Sequence, residues 1–106
     1  MKTIKLEEAF KKAFEKWYIE EYLYYGLFGI KVQKLAIKSF YWQKISKQYG
    51  VYKIFANSKG IEISTYSNGW NISTNMVSIE YDGVSESLEQ AMLQAVLKLQ
   101  SLYNEK

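Results

Sequence analysis

Apolar residues recur at intervals of three and four from residue 5 to about residue 25, where Leu6, Ala9, Phe10, Ala13, Phe14 and Trp17 fall on one helical face. Thr3 is placed to cap this helix, Glu7 and Glu8 sit where its dipole favours acids, and Gly26 is a natural stop. Beyond Trp17 the period breaks down. Tyr18, Ile19, Tyr22, Leu23, Tyr24, Tyr25, Leu27 and Phe28 form a near-continuous apolar run that one helix face cannot hold. Residues 34–45 scatter their apolar side chains around a helical wheel. Read with a period of two, Leu35, Ile37, Tyr41 and Ile45 share one side and Lys34, Lys38 and Lys44 the other, which predicts a half-buried strand.

Turn residues then bound three β-branched and aromatic runs. Residues 51–56 follow Tyr49-Gly50, residues 61–66 follow Asn57-Ser58-Lys59-Gly60, and residues 70–81 follow Ser67-Asn68-Gly69, the signature of an antiparallel meander. In the last run Trp70, Ile72, Thr74 and Met76 keep one parity and Val77, Ile79 and Tyr81 the other, which a bulge near Asn75 or Met76 would reconcile. Asp82-Gly83 ends the sheet, and Ser87 with Gln90 forms a capping box for a second helix to about Tyr103. Leu88, Ala91, Met92, Ala95, Leu99 and Leu102 line its main face, with Leu93 and Leu97 on nearly the opposite side. The expectation is an α+β fold: an N-terminal helix, a three- to four-stranded antiparallel meander, and a C-terminal helix packed on the sheet. Both helices are expected on one face, with one on each face as the alternative.

Composition bounds the rest. At 106 residues with 48% hydrophobic side chains and no linker-like stretch, residues 1–106 read as a single domain. Cysteine, histidine and proline are absent and every basic residue is lysine. That removes disulfides, thiolate metal sites, the commonest general base and the bidentate fork that grips phosphate. Met1-Lys2-Thr3-Ile4-Lys5 is no apolar signal core, and no run approaches a membrane span, so a cytoplasmic protein without membrane partners is expected.

Charge is uneven. Residues 1–50 carry ten lysines against five glutamates, and residues 51–106 carry four lysines against six acids. Between Glu21 and Glu62 no acid occurs, while seven lysines alternate with aromatics. Lys34, Lys38, Lys44 and Trp42 are therefore the candidates for nucleic-acid binding, lysines for phosphates and the indole for base stacking. The alternative is a solvated lysine face over an aromatic core. Trp17, Tyr18, Tyr22, Tyr24 and Tyr25 offer large contact area at low entropy cost and are candidates for a protein interface, or else lie buried. Leu93 and Leu97, stacked one turn apart, suggest a two-fold homodimer through the second helix. Among carboxylates, Glu20, Glu21, Glu62, Glu80 and Asp82 could serve chemistry, but nothing in their spacing brings them together. No metal-ligand pattern, cofactor loop or nucleophile motif is present, so neither an enzyme nor a cofactor is expected.

Two resemblances add to this reading. The helix, three strands, helix order resembles the double-stranded-RNA-binding domain, whose final helix begins with phosphate-clamping lysines. Ser85-Glu86-Ser87-Leu88-Glu89-Gln90 is acidic at that point, which removes the clamp. The passage from Gly83-Val84-Ser85 through Ala91, Ala95 and Leu99 is similar to the closing strand-to-helix segment of small phage α-β-α sandwich proteins, a family that implies no defined activity. The expected function is a small non-catalytic protein-binding module, a phage or mobile-element accessory protein or inhibitor that occupies a larger host macromolecule. The alternative is nucleic-acid binding through residues 31–59.

Overall fold

The computed structural model describes residues 5–74 and 80–104. Helix α1 (Glu8–Trp17) runs directly into a π-helical turn (Tyr18–Tyr22), followed by α2 (Ile30–Tyr41) and α3 (Ile45–Ser58). Strands β1 (Ile61–Tyr66), β2 (Gly69–Thr74) and β3 (Glu80–Val84) form one antiparallel sheet in that order, and α4 (Leu88–Asn104) closes the fold. The architecture is α+β, with α3 and α4 packed on one face of the sheet and α1 lying against both of them. The helix, three strands, helix order runs from α3 to α4, so α3 and not α1 joins α4 on the sheet.

The expected N-terminal helix forms, but as an α-helix it stops at Trp17. Trp17, Tyr18 and Ile19 are all buried, and successive residues of an α-helix point 100° apart. The π turn, with the Leu23 amide donating to the Tyr18 carbonyl at 2.9 Å, widens the coil where that burial is needed. Tyr18 then meets Phe40 of α2 at 4.9 Å, and Trp17 meets Phe55 of α3 at 5.2 Å.

Residues 34–45 are not a strand. α2 covers them to Tyr41, because Gln33, Ala36, Ile37, Phe40 and Tyr41 turn inward at helical spacing while Val32 and Leu35 stay in solvent. Those exposed apolar residues are what spread the wheel. Residues 51–56 are helical too: Ile45, Gln48, Tyr49, Tyr52, Phe55 and Ala56 make one buried stripe, with Gly50 exposed on the other side. Gly60, at φ 78°, turns the chain from α3 into β1. The run expected over 70–81 is two strands, β2 and β3, with Ser73 opposite Glu80, and β3 continues through Asp82 and Gly83. Thr3 and the bulge expected at Asn75 or Met76 lie outside the described residues.

Ser87 caps α4 as expected, its hydroxyl accepting from the Gln90 amide at 3.2 Å, while Gln90 reaches back to the Glu86 amide. Ala91, Ala95, Val96, Leu99 and Leu102 are buried, whereas Leu88 is exposed at the first turn. Three glutamine amides fasten separate parts of the chain. Gln48 donates to the carbonyls of Tyr41 and Gln43, closing the α2–α3 corner. Gln94 accepts from the Trp70 indole at 3.0 Å and from Ser85 at 2.7 Å. Gln100 holds the backbone of Lys5 and Glu7. Trp70 lies over Gly83 on the neighbouring strand, where any Cβ would strike the indole.

Phe14 stands at the centre of the core. Its ring meets Tyr52 at 4.7 Å, Phe40 at 5.1 Å and Phe55 at 5.5 Å, so it bridges α1, α2 and α3 at once. Phe14→Ala should cost about 3–5 kcal/mol in equilibrium unfolding, a large share of a small domain's stability. A loss below about 0.5 kcal/mol would show that the helices do not depend on this ring.

Helices α2 and α3 begin without an acid in the first turn, and neither Gly29 nor Lys44, their N-cap residues, makes a side-chain cap. Lys44 places a cation where the helix dipole opposes it. Lys44→Asp should therefore stabilise the fold by about 1 kcal/mol, read as a raised denaturation midpoint. An unchanged or lowered midpoint would contradict this account of the helix start.

Candidate functional site

Exposed apolar surface is concentrated in one segment. Of thirteen large apolar side chains exposed among the described residues, eight lie between Tyr22 and Trp42. Leu27 is fully exposed, Trp42 is 70% exposed, and Ile30 and Leu35 are each 66% exposed. On α2, Val32, Leu35, Ser39 and Trp42 follow one another at steps of three, four and three, the spacing of a helix seam that meets another surface. Lys31, Lys34 and Lys38 run alongside, all exposed. Among the described residues no acid stands within ion-pairing distance of these lysines.

The opposite face of α2 anchors it. Phe40 is buried against Phe14, Tyr18 and Tyr52, and the Tyr41 hydroxyl donates to Glu15 Oε2 at 2.8 Å. At the other end, the Gln33 amide donates to the carbonyls of Tyr25, Gly26 and Phe28, holding the preceding loop against the helix. In that loop Tyr24 is exposed and sits at φ 58°, a left-handed conformation uncommon for a non-glycine residue. An open groove of about 840 Å³ separates α1 and the π turn from α2, lined among others by Glu15, Lys16, Ile19, Glu20, Tyr24 and Ile37.

The expected site residues divide. Lys34, Lys38 and Trp42 do share a face, at intervals of four on a helix and not on a strand; Lys44 lies one corner away at the start of α3. Trp17 and Tyr18, each 7% exposed, belong to the core, and Tyr25 is half-buried against Phe28. Tyr22 and Tyr24 are exposed. Leu93 is half-buried while Leu97 is exposed, so the two do not present an equal pair to solvent. Leu27 and Phe28 close the apolar run that follows Trp17, whereas Ile30, Val32 and Leu35 are not among the expected interface residues. Their signal is the same scatter of apolar positions that disguised α2.

A second face carries the opposite charge. The strand register aligns Glu62, Ser73 and Glu80 in one row, Ser64, Asn71 and Asp82 in the next, and Tyr66, Gly69 and Val84 in the last. These side chains lie on the side of the sheet away from α3 and α4, since Ile61, Ile63 and Ile72 are the ones buried beneath the helices. Glu62, Glu80 and Asp82 are exposed there, with Asn71 donating to Asp82 at 2.8 Å. Glu20 and Glu21 are exposed on the π turn, far in the chain from these three. Among the described residues no three acids gather closely enough to hold a metal ion, and no helix is long and apolar enough to cross a membrane.

Burial first, and then the bond to Glu15, hold the Tyr41 hydroxyl protonated well above the ordinary tyrosine range. Burial does the same for Tyr52, with Glu15 adding to it. In both cases the folded pKa lies above the unfolded one. Their contribution to stability is thus complete below about pH 10 and is lost as pH rises beyond it, where the unfolded chain holds fewer protons. Phenolate absorbance from Tyr41 and Tyr52, assigned by Tyr→Phe replacement, should appear only together with loss of the native circular dichroism signal. Ionisation of either in a protein that keeps that signal would refute the assignment.

Comparisons with protein-family models, curated proteins and solved structures found no match for this chain.

Proposed function

We propose that this chain is a non-catalytic protein-binding module that docks through the outward face of α2 and the loop before it. In this reading it acts by occupying the surface of a larger macromolecule, as accessory and inhibitory proteins of phages and mobile elements do. The observation that carries the reading is the crowding of exposed apolar side chains between Tyr22 and Trp42. A patch of this kind, rimmed by charge, is costly to leave in water and is the common mark of an interaction surface. Trp42 supplies the large anchor that such interfaces favour.

Nucleic-acid binding is the second reading, favoured by the alignment of Lys34, Lys38 and Trp42 on one helix face. It leaves Leu27, Ile30, Val32 and Leu35 without a role, because phosphates gain nothing from apolar contact.

Val32→Asp combined with Leu35→Asp alters exposed positions only, so the thermal midpoint should stay within a few degrees of wild type. Photocross-linking in host lysate from a probe at Ser39 should trap one protein with the wild type and lose it with the double variant. Retention of that protein by the variant refutes the docking face. Wild-type binding to unrelated single-stranded oligonucleotides that collapses between low and moderate salt, with no protein trapped, favours the second reading.

A further inference from the structure

We propose that copies of this chain bind one another head to tail, with the basic apolar face of α2 on one copy lying on the acidic open face of the next copy's sheet. The inference rests on reading α2 as a docking face and adds the occupant that the chain itself can supply.

The two faces complement each other in charge. Lys31, Lys34 and Lys38 stand exposed on α2 in a segment that contains no acid. Glu62, Glu80 and Asp82 stand exposed on the sheet's outer rows, and those three rows contain no base. Each face also has an apolar part left in water: Val32, Leu35 and Trp42 on the helix, Tyr66 and Val84 on the sheet.

Symmetry decides how copies can use these faces. A two-fold contact centred on one face joins that face to its own copy, so α2 on α2 would set lysines against lysines, and sheet on sheet would set carboxylates against carboxylates. Only the contact between unlike faces joins base to acid. Dimensions agree, since the twelve residues of α2 span about 18 Å and a six-residue strand about 20 Å. A heterologous contact whose rotation does not close a ring leaves one α2 face and one sheet face open at the ends, so association grows with concentration and does not stop at two.

The test uses sedimentation velocity of the full chain and of two charge variants at exposed positions. At about 0.05 M salt the wild-type mass should rise steadily with concentration, and at about 0.5 M salt the association should weaken at least tenfold. Lys34→Glu with Lys38→Glu spoils only the helix face, and Glu62→Gln with Glu80→Gln spoils only the sheet face. Each variant alone should sediment as a monomer. Mixed in equal amounts they retain one native pairing, and the mixture should stop at a one-to-one dimer.

A wild type that is monomeric throughout overturns the inference. So does association that ignores salt and both variants but is lost with Leu97→Glu, which would place the contact on α4. A monomer that instead sediments with phosphatidylglycerol vesicles, and loses them with Leu35→Asp, overturns it in favour of lipid. The wild-type salt series needs no variant and decides the matter even where a substitution disturbs folding. A monomer that still traps its partner through α2 removes this inference alone; self-association with no trapped partner removes the other reading alone.

Discussion

Three helices of this protein depend on one aromatic ring. Phe14 is in contact with side chains from α2 and α3 as well as its own helix, and it is 1% exposed. Around it Phe10 and Tyr18 pack nearly parallel to the ring, Trp17, Phe40 and Tyr52 at a tilt, and Phe55 edge-on. The consequence for α2 is direct. Phe40 is its one deeply buried residue, so the position of the whole exposed face follows from how Phe40 seats against Phe14 and Tyr18. The π turn serves the same end, since it is what allows Tyr18 and Trp17 to reach different helices from adjacent positions.

What the rings do for the apolar core, glutamine does for the joints. A glutamine amide suits this role because it can donate and accept at the end of a long uncharged side chain. Gln48 locks the corner between α2 and α3, Gln94 ties the sheet to α4, Gln100 ties the N-terminal segment to α4, and Gln33 ties the loop to α2. Gln33, Gln48 and Gln100 pair with backbone groups, and Gln94 pairs with two side chains. None of them carries charge, which leaves the lysines outside the scaffold.

Much of the fold was legible in the sequence where burial and periodicity agree. The stripe from Phe10 to Trp17, the β1–β2 turn and the Ser87 cap of α4 were all visible in this way. It was illegible where they conflict. Positions 34, 38 and 42 share a parity and also lie one helical turn apart, so a four-residue spacing cannot separate strand from helix. Exposed Val32 and Leu35 removed the remaining clue. Tyr49-Gly50 read as a turn because glycine favours one and the run that begins at Val51 favours a strand, yet seven buried positions hold α3 together across it. The candidate site was half visible: the acid-free lysine segment stood out, but a period of two put Leu35 on the buried side, and the aromatic run alone could not separate the buried Trp17 and Tyr18 from the exposed Tyr22 and Tyr24.

The division of labour on α2 has an evolutionary consequence. Gln33, Ala36, Ile37, Phe40 and Tyr41 carry its attachment, and Val32, Leu35, Ser39 and Trp42 carry none of it. Changes at the second set alter what the helix can meet while leaving the first set, and hence the fold, untouched. A lineage of such chains could therefore shift its specificity rapidly, one outward side chain at a time, without passing through unstable intermediates. Sequence drift in these positions would outpace drift in the scaffold, and relatives would keep the rings and the glutamines while differing along the seam.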